Sequence, residues 1–297
     1  LGKTAEPQPI TLEEAIWNKG TESIEVSGVG ETAQDDWYIT FTVTSENETV
    51  KTYTVKYSEI KTEANDGSFE VSLDIAADEL RDLGAIKVNA KYTAVVSEVS
   101  SVAVQAWMYF DKNAEDAVWT NGEAPKKLVA LGATIADKVV GVEQPTRENY
   151  GFVGYKADTA GTEIAADAVM TVDEYTAYAA WDADKVLVSF VAGEGGSLEG
   201  AAEVTVDYGT ELSTVTFPTP VAEEGYEFIG WSQETGVVTE NITVTANFKL
   251  KEYTVVFNAG EGGTVNGQSS VTVEGVTHGT AMSEILPTVV ANIGYSV

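Results

Sequence analysis

The C-terminal part of this chain repeats itself, and that constrains its fold more than any other feature. Residues 188–196 read VSFVAGEGG and residues 255–263 read VVFNAGEGG, an ungapped match that sets Phe190 against Phe257 and Gly193 against Gly260 at an offset of 67. A period of this size implies small modules in series, each too small to bury a large core alone and each stabilised by its neighbours. The segment GYEFIGW, from Gly225 to Trp231, begins again at Gly294 and Tyr295, an offset of 69. A more divergent copy precedes these two. Its Tyr150, Phe152, Gly154 and Tyr155 align with Tyr226, Phe228, Gly230 and Trp231 at an offset of 76, and YTAYAAW at 175–181 aligns with ITVTANF at 242–248. The copies are placed at 104–182, 185–249 and 252–297, the third truncated.

Alternation of apolar residues sets the fold class. Val186, Val188 and Phe190, and again Tyr253, Val255 and Phe257, recur at every second position, the period of a half-buried strand. Residues 21–103 carry six further alternating runs separated by turn signals such as Asn65-Asp66-Gly67, which predicts an immunoglobulin-like β-sandwich. The chain is thus expected to be mainly all-β: a lead or linker segment over 1–20, a sandwich over 21–103, then small β-grasp-like repeats. Two short helices are expected, Thr11 to Asn18 with Thr11 as N-cap, and Ala77 to Leu83 stopped by Gly84.

Charge and composition remove several function classes. With 17 Lys+Arg against 47 Asp+Glu, the net charge of −30 repels phosphate backbones and anionic headgroups, so nucleic acid is not an expected partner. The absence of Cys excludes disulfide frameworks, thiolate metal sites and cysteine nucleophiles. No apolar run reaches the roughly 20 residues that span a bilayer, so no membrane insertion is expected of this segment. The opening LGKTAEPQPITLEEA has neither the basic nor the apolar region of a signal peptide, and the chain reads as an excised or mature segment of a longer protein.

The motif F-x-A-G-x-G-G, then Y-G-T, then P-T-x-x-x-x-G-Y-x-F-x-G-W resembles the Listeria-Bacteroides repeat, the B-repeat of internalins. The middle copy carries it most fully, from Phe190, Gly193, Gly195 and Gly196 through Tyr208, Gly209 and Thr210 to Pro218, Thr219, Gly225, Tyr226, Phe228, Gly230, Trp231 and Phe248. In the first copy Pro145, Thr146 and Arg147 look like that family's P-T-R stretch, with Asn149 in place of Gly and Tyr155 in place of Trp. The resemblance covers about the C-terminal two-thirds. It implies β-grasp-like modules strung along bacterial surface and secreted proteins, and it implies no shared catalytic residues.

Few residues qualify as sites. The GEGG glycines lack the Gly-Lys-Ser/Thr of a phosphate loop and read as hairpin turns. Trp231, Trp181 and Tyr155 recur at matched positions, which favours core packing over a sugar platform, whereas Trp119 falls outside the repeat and is the candidate ligand-contact residue. His278 is the single histidine and stands where the preceding copy has Tyr208, so turn chemistry is its default reading. Asp182 and Asp184 flank Ala183 at the junction of the first two copies and are the candidate calcium ligands; no other cofactor is expected. Lys56 and Lys91 are the conceivable donors of an intramolecular isopeptide bond.

The resulting expectation is a non-catalytic, extracellular segment of a bacterial surface or secreted protein, acting as stalk or adhesin toward a protein or glycan surface. Two alternatives stand beside it: a subunit of a self-assembling filament or surface layer, and an accessory module of a secreted glycan-active enzyme.

Overall fold

The computed structural model describes residues 7–297 apart from Thr32, Asn47 and Asn65, so the first residue of the expected Asn65-Asp66-Gly67 turn lies outside the described residues. The chain is mostly strand and divides into two compact units, 1–182 and 183–297.

The first unit contains β1 (Thr11–Asn18), β2 (Ser23–Val29), β3 (Tyr38–Ser45), β4 (Glu48–Lys56), β5 (Ser68–Asp74), β6 (Ile86–Tyr92), β7 (Ser100–Ala103), β8 (Gln105–Asp111), β9 (Lys126–Ala130), β10 (Tyr150–Lys156) and β11 (Tyr175–Ala183). One sheet runs β10-β11-β8-β1-β2-β5, with β9 paired to β8; a second runs β4-β3-β6-β7. The β1-β2-β5 part of the first sheet and the second sheet supply the two faces of the expected sandwich. Phe41 of β3 and Phe69 of β5 meet edge to face at 5.9 Å, so an aromatic pair bridges the two sheets.

Two expectations are corrected here. Thr11–Asn18 is not a helix in a lead segment but a strand in the interior of the large sheet, with Ala15 and Trp17 fully buried. Its pairing with β2 shifts register between Leu12 and Glu14, which displaces the alternation by one. Leu12 and Ala15 therefore both face inward although they stand three apart, a spacing that imitates the helical period. Of the expected Ala77 to Leu83 helix only the turn Ala77–Leu80 forms, with Leu80 buried.

The expected boundary at 103/104 does not divide the interior. A continuous buried cluster runs from Ile10 to Ala179 and contains residues from both expected domains. Trp17 Nε1 donates to the Val172 carbonyl at 2.9 Å, and Leu80, Leu131, Met170 and Val172 are buried in the same core. Gly132 lies so close to Gly84 that a Cβ would approach its carbonyl carbon to 2.5 Å. The sandwich and the first repeat are thus fused through one interior, as expected when two small cores are each marginal alone.

The second unit contains β12 (Lys185–Ala192), β13 (Gly196–Glu199), β14 (Glu203–Asp207), β15 (Thr210–Glu211), β16 (Thr219–Ala222), β17 (Tyr226–Trp231), β18 (Val237–Val238), β19 (Ile242–Leu250), β20 (Glu252–Asn258), β21 (Gly263–Val265), β22 (Ser270–Thr277) and β23 (Val289–Ala291). Its main sheet runs β14-β12-β19-β17, over a core of Val188, Phe190, Leu212, Val238 and Val244. The third copy forms the antiparallel pairs β20-β22 and β21-β23. Phe257 is only half-buried where its counterpart Phe190 is buried, because no strand takes the place of β19 beside β20 among the described residues.

Candidate functional site

The two upstream copies share one construction. In each, an opening strand pairs antiparallel with a second strand (β8 with β9, β12 with β14) and parallel with the closing strand (β8 with β11, β12 with β19), and the aromatic strand lies outside the closing one. The parallel register sets Ala177 against Phe110 and Val244 against Phe190, so Phe110 and Phe190 are equivalent. Around them stand matching rings. Phe110 meets Tyr155 at 4.9 Å, Phe152 meets Tyr155 at 5.0 Å and Trp181 at 5.9 Å. In the second copy Phe190 meets Trp231 at 5.6 Å, and Phe228 meets Trp231 at 5.8 Å and Phe248 at 5.6 Å. The repeated quartet packs largely edge to face, the favoured aromatic geometry. Residues 186–252 match the family model of the divergent InlB B-repeat domain.

Several signature residues of this B-repeat and its flanking copies have a packing reason. Gly195 has φ +87°, and a Cβ there would stand 2.1 Å from Cδ1 of Tyr226; Gly262 stands in the same relation to Tyr295, at 2.2 Å. The glycine-rich turn is therefore the seat of the tyrosine ring, not a phosphate cradle. Gly225 has φ +81°, and Asn149, its substitute in the first copy, keeps the left-handed conformation at +61°. Arg147 of the P-T-R stretch donates from Nε to Asp116 at 3.0 Å and lies over the Tyr150 ring at 3.6 Å. That hydrogen bond holds the Asp116 carboxyl below the usual carboxylate range.

Beyond the family model, the chain is similar over longer stretches to two proteins of Evansella cellulosilytica. One, named "Putative membrane protein", is 31% identical over 179 residues, covering 57% of this chain and 25% of that protein. The other, named "Putative Gly-rich membrane protein", is 29% identical over 196 residues, covering 61% of this chain and 20% of that protein. The chain thus spans about a quarter or less of the curated relatives it matches.

The residues singled out from sequence distribute as follows. Tyr155 is buried, its hydroxyl donating to the Glu143 carbonyl, and burial pushes its pKa up. Trp181 and Trp231 are half-buried against the cores of their units, so the three repeat-matched rings are packing residues. Trp119, expected to stand exposed, is instead half-buried against the first unit's core, because Val118 is bridged in both directions to Thr146 and draws the loop inward. His278 is exposed, and its ring lies against Gly225 and 6.1 Å from the Tyr253 centroid. Asp182 lies in β11 and Asp184 follows that strand, both exposed; among the described residues no group of three or more His, Asp or Glu is placed to hold a metal. Lys56 is half-buried and Lys91 exposed, so neither has the enclosed amine that isopeptide chemistry needs.

Sequence reasoning missed a cleft on the outer face of the first unit. β1 and β8 pair through the single parallel bridge Ile16 to Gln105, and beyond it their ends part to open a space of about 620 Å³. In β8, Ala106, Met108 and Phe110 face the core, which turns Trp107 and Tyr109 to the outside and into this cleft. The Lys126 ammonium sits 4.2 Å from the Trp107 ring centroid, and Lys126 does not line the cleft. Tyr109 donates to Glu174 Oε1 at 3.4 Å. Glu174 itself holds φ +63°, an uncommon conformation for a residue other than glycine. Partial burial, helped by the neighbouring Glu174 carboxylate, raises the Tyr109 pKa and keeps its hydroxyl protonated.

Proposed function

We propose that this chain is a non-catalytic segment of a bacterial cell-envelope protein, whose tandem β-modules project or present a binding surface outside the cell. The observation that carries the proposal is the repeated quartet of rings on the same arrangement of four strands, β9-β8-β11-β10 and β14-β12-β19-β17: successive copies conserve a core, not a reactive constellation. Relatives named as membrane proteins support an envelope location. The acidic surface supports an extracellular stalk, since like charge keeps such modules soluble and discourages nonspecific association. Catalysis would need a nucleophile with a base in reach; the single His278 is an exposed turn residue packed on Gly225. The test is antibody labelling and protease shaving of intact producing cells. Surface labelling that is lost after shaving is expected, and a signal that appears only after lysis refutes the reading.

A further inference from the structure

We propose that the cleft between β1 and β8 is a binding subsite for a neutral oligosaccharide, with Trp107 and Tyr109 as its stacking platform. This inference rests on the surface-module reading and names the ligand class such a module would meet.

The floor of the cleft is a paired sheet. β8 is hydrogen-bonded to β9 and β11 and bridged to β1, so it offers no free backbone edge to a peptide strand. Recognition there must come from side chains. Trp107 and Tyr109 stand two residues apart on one face of β8, which sets their Cα atoms about 7 Å apart along the strand. Lys126 covers one face of the Trp107 indole and fixes the ring through a cation–π contact. The ring surface that lines the cleft is left for the axial C–H face of a pyranose, which is apolar and flat like the indole itself.

Hydrogen-bonding groups surround the rings, and several are already oriented. Glu25 Oε1 accepts from Ser23 Oγ at 2.7 Å and from Ser72 Oγ at 2.9 Å, so the carboxylate is held at the cleft wall with both of these bonds on one oxygen. Asn18 Oδ1 accepts from the Gly20 and Thr21 amides at 3.0 and 3.3 Å, which fixes the side chain and leaves Nδ2 as donor. Glu174 is tied to Tyr109. Two carboxylates and an amide match the vicinal hydroxyls of a sugar, which donate to Glu25 and Glu174 and accept from Asn18. Sites of this kind are mostly apolar surfaces with a few convergent polar groups, and the volume lies within their usual range of roughly 300–1,000 Å³.

Charge selects among sugars. Of the charged residues that line the cleft, Glu25 and Glu174 outnumber Lys19, whose ammonium donates to the Asp173 carbonyl at 2.9 Å, and the chain carries a net charge of −30, which disfavours uronic, sialylated or phosphorylated polymers. The ligand is therefore a neutral glycan.

The proposal is tested on the purified chain by isothermal titration with hexasaccharides of β-1,4-glucose, β-1,4-mannose, β-1,4-xylose, α-1,4-glucose and β-1,4-N-acetylglucosamine, and with oligogalacturonate as the acidic control. Saturable binding of at least one neutral probe is expected, stronger than that of the acidic control. Trp107→Ala is expected to weaken it roughly tenfold or more, a loss of about 1.4 kcal/mol. Glu174→Gln, which keeps both rings and the side-chain volume, is expected to weaken it severalfold with an unchanged melting temperature, so that a folding defect in the tryptophan variant leaves the proposal testable. Binding by none of the neutral probes, tighter binding of oligogalacturonate, or binding indifferent to both substitutions would each overturn it. Because the assay uses purified protein, its failure is separate from a failure of surface labelling on cells.

Discussion

Gly195→Ala is the substitution that most directly examines why the repeats carry their glycine-rich turn. The native φ of +87° lies in the left-handed region, where a Cβ costs about 1–2 kcal/mol. The new methyl would also lie 2.1 Å from Tyr226 Cδ1 and 2.3 Å from Cε1, against the 3.4 Å at which ordinary contact begins, so the ring must retreat by more than an ångström. It has little room to do so. The Glu223 amide donates to the Gly195 carbonyl at 2.9 Å and the Tyr226 amide to the Glu223 carbonyl at 3.0 Å, which ties turn and ring together. Overpacking of this kind costs about 1–3 kcal/mol, for a sum of about 2–5 kcal/mol. A module of this size has little more than that to lose, at roughly 0.1 kcal/mol per residue. Native-state hydrogen exchange over β12 and β19 should accelerate roughly 30-fold to several thousandfold, the range to which about 2–5 kcal/mol corresponds. Gly279→Ala is the control, since its φ of +83° faces open space and only the backbone cost applies. In a Tyr226→Ala background, Gly195→Ala should also fall to the backbone cost, a coupling of about 1–3 kcal/mol. Equal effects at Gly195 and Gly279, or no coupling to Tyr226, would refute the assignment of the glycine to the tyrosine's seat.

Two further outcomes follow from the first unit. Trp17→Ala, which empties a fully buried site and strands the Val172 carbonyl, should cost about 3–5 kcal/mol and accelerate exchange in both 21–103 and 104–182; a response confined to one of these segments would contradict a shared core. Asp116, whose carboxyl is held low chiefly by the Arg147 hydrogen bond, contributes stability that is full above about pH 4 and is lost as pH falls through its depressed folded value. Carbon NMR of the Asp116 carboxyl should show that midpoint rise to the ordinary range in Arg147→Ala, and an unmoved midpoint would remove the pair as its cause.

The repeats were readable because periodicity survives translation into structure. Phe190, Val188 and Val186 alternate in sequence and share one face in the sheet, and the matched offsets of Phe228, Trp231 and Phe248 mark rings that meet in space. The turns at the GEGG glycines were equally legible, and Gly195 and Gly262 hold φ of +87° and +89° there. Local chemistry decides such features: a backbone conformation or a strand face is a property of a few neighbouring residues.

Tertiary structure alone decided the rest. The segment TLEEAIWN carries a helical spacing, and only its pairing with β2 and the bulge at Glu13 make it a strand. Residues 21–103 and 104–182 each alternate as though independent, and only the meeting of Trp17 with Val172 shows that they share an interior. The segment QAWMYFD is apolar on both faces, so alternation could not say whether Ala106, Met108 and Phe110 or Trp107 and Tyr109 would face outward. The core chose the first set, which left two aromatic rings in the cleft beside Glu25 and Glu174, residues distant in the chain. Which face of a strand meets water is set by what packs on the other face, and that partner is chosen by long-range contacts that no local pattern encodes.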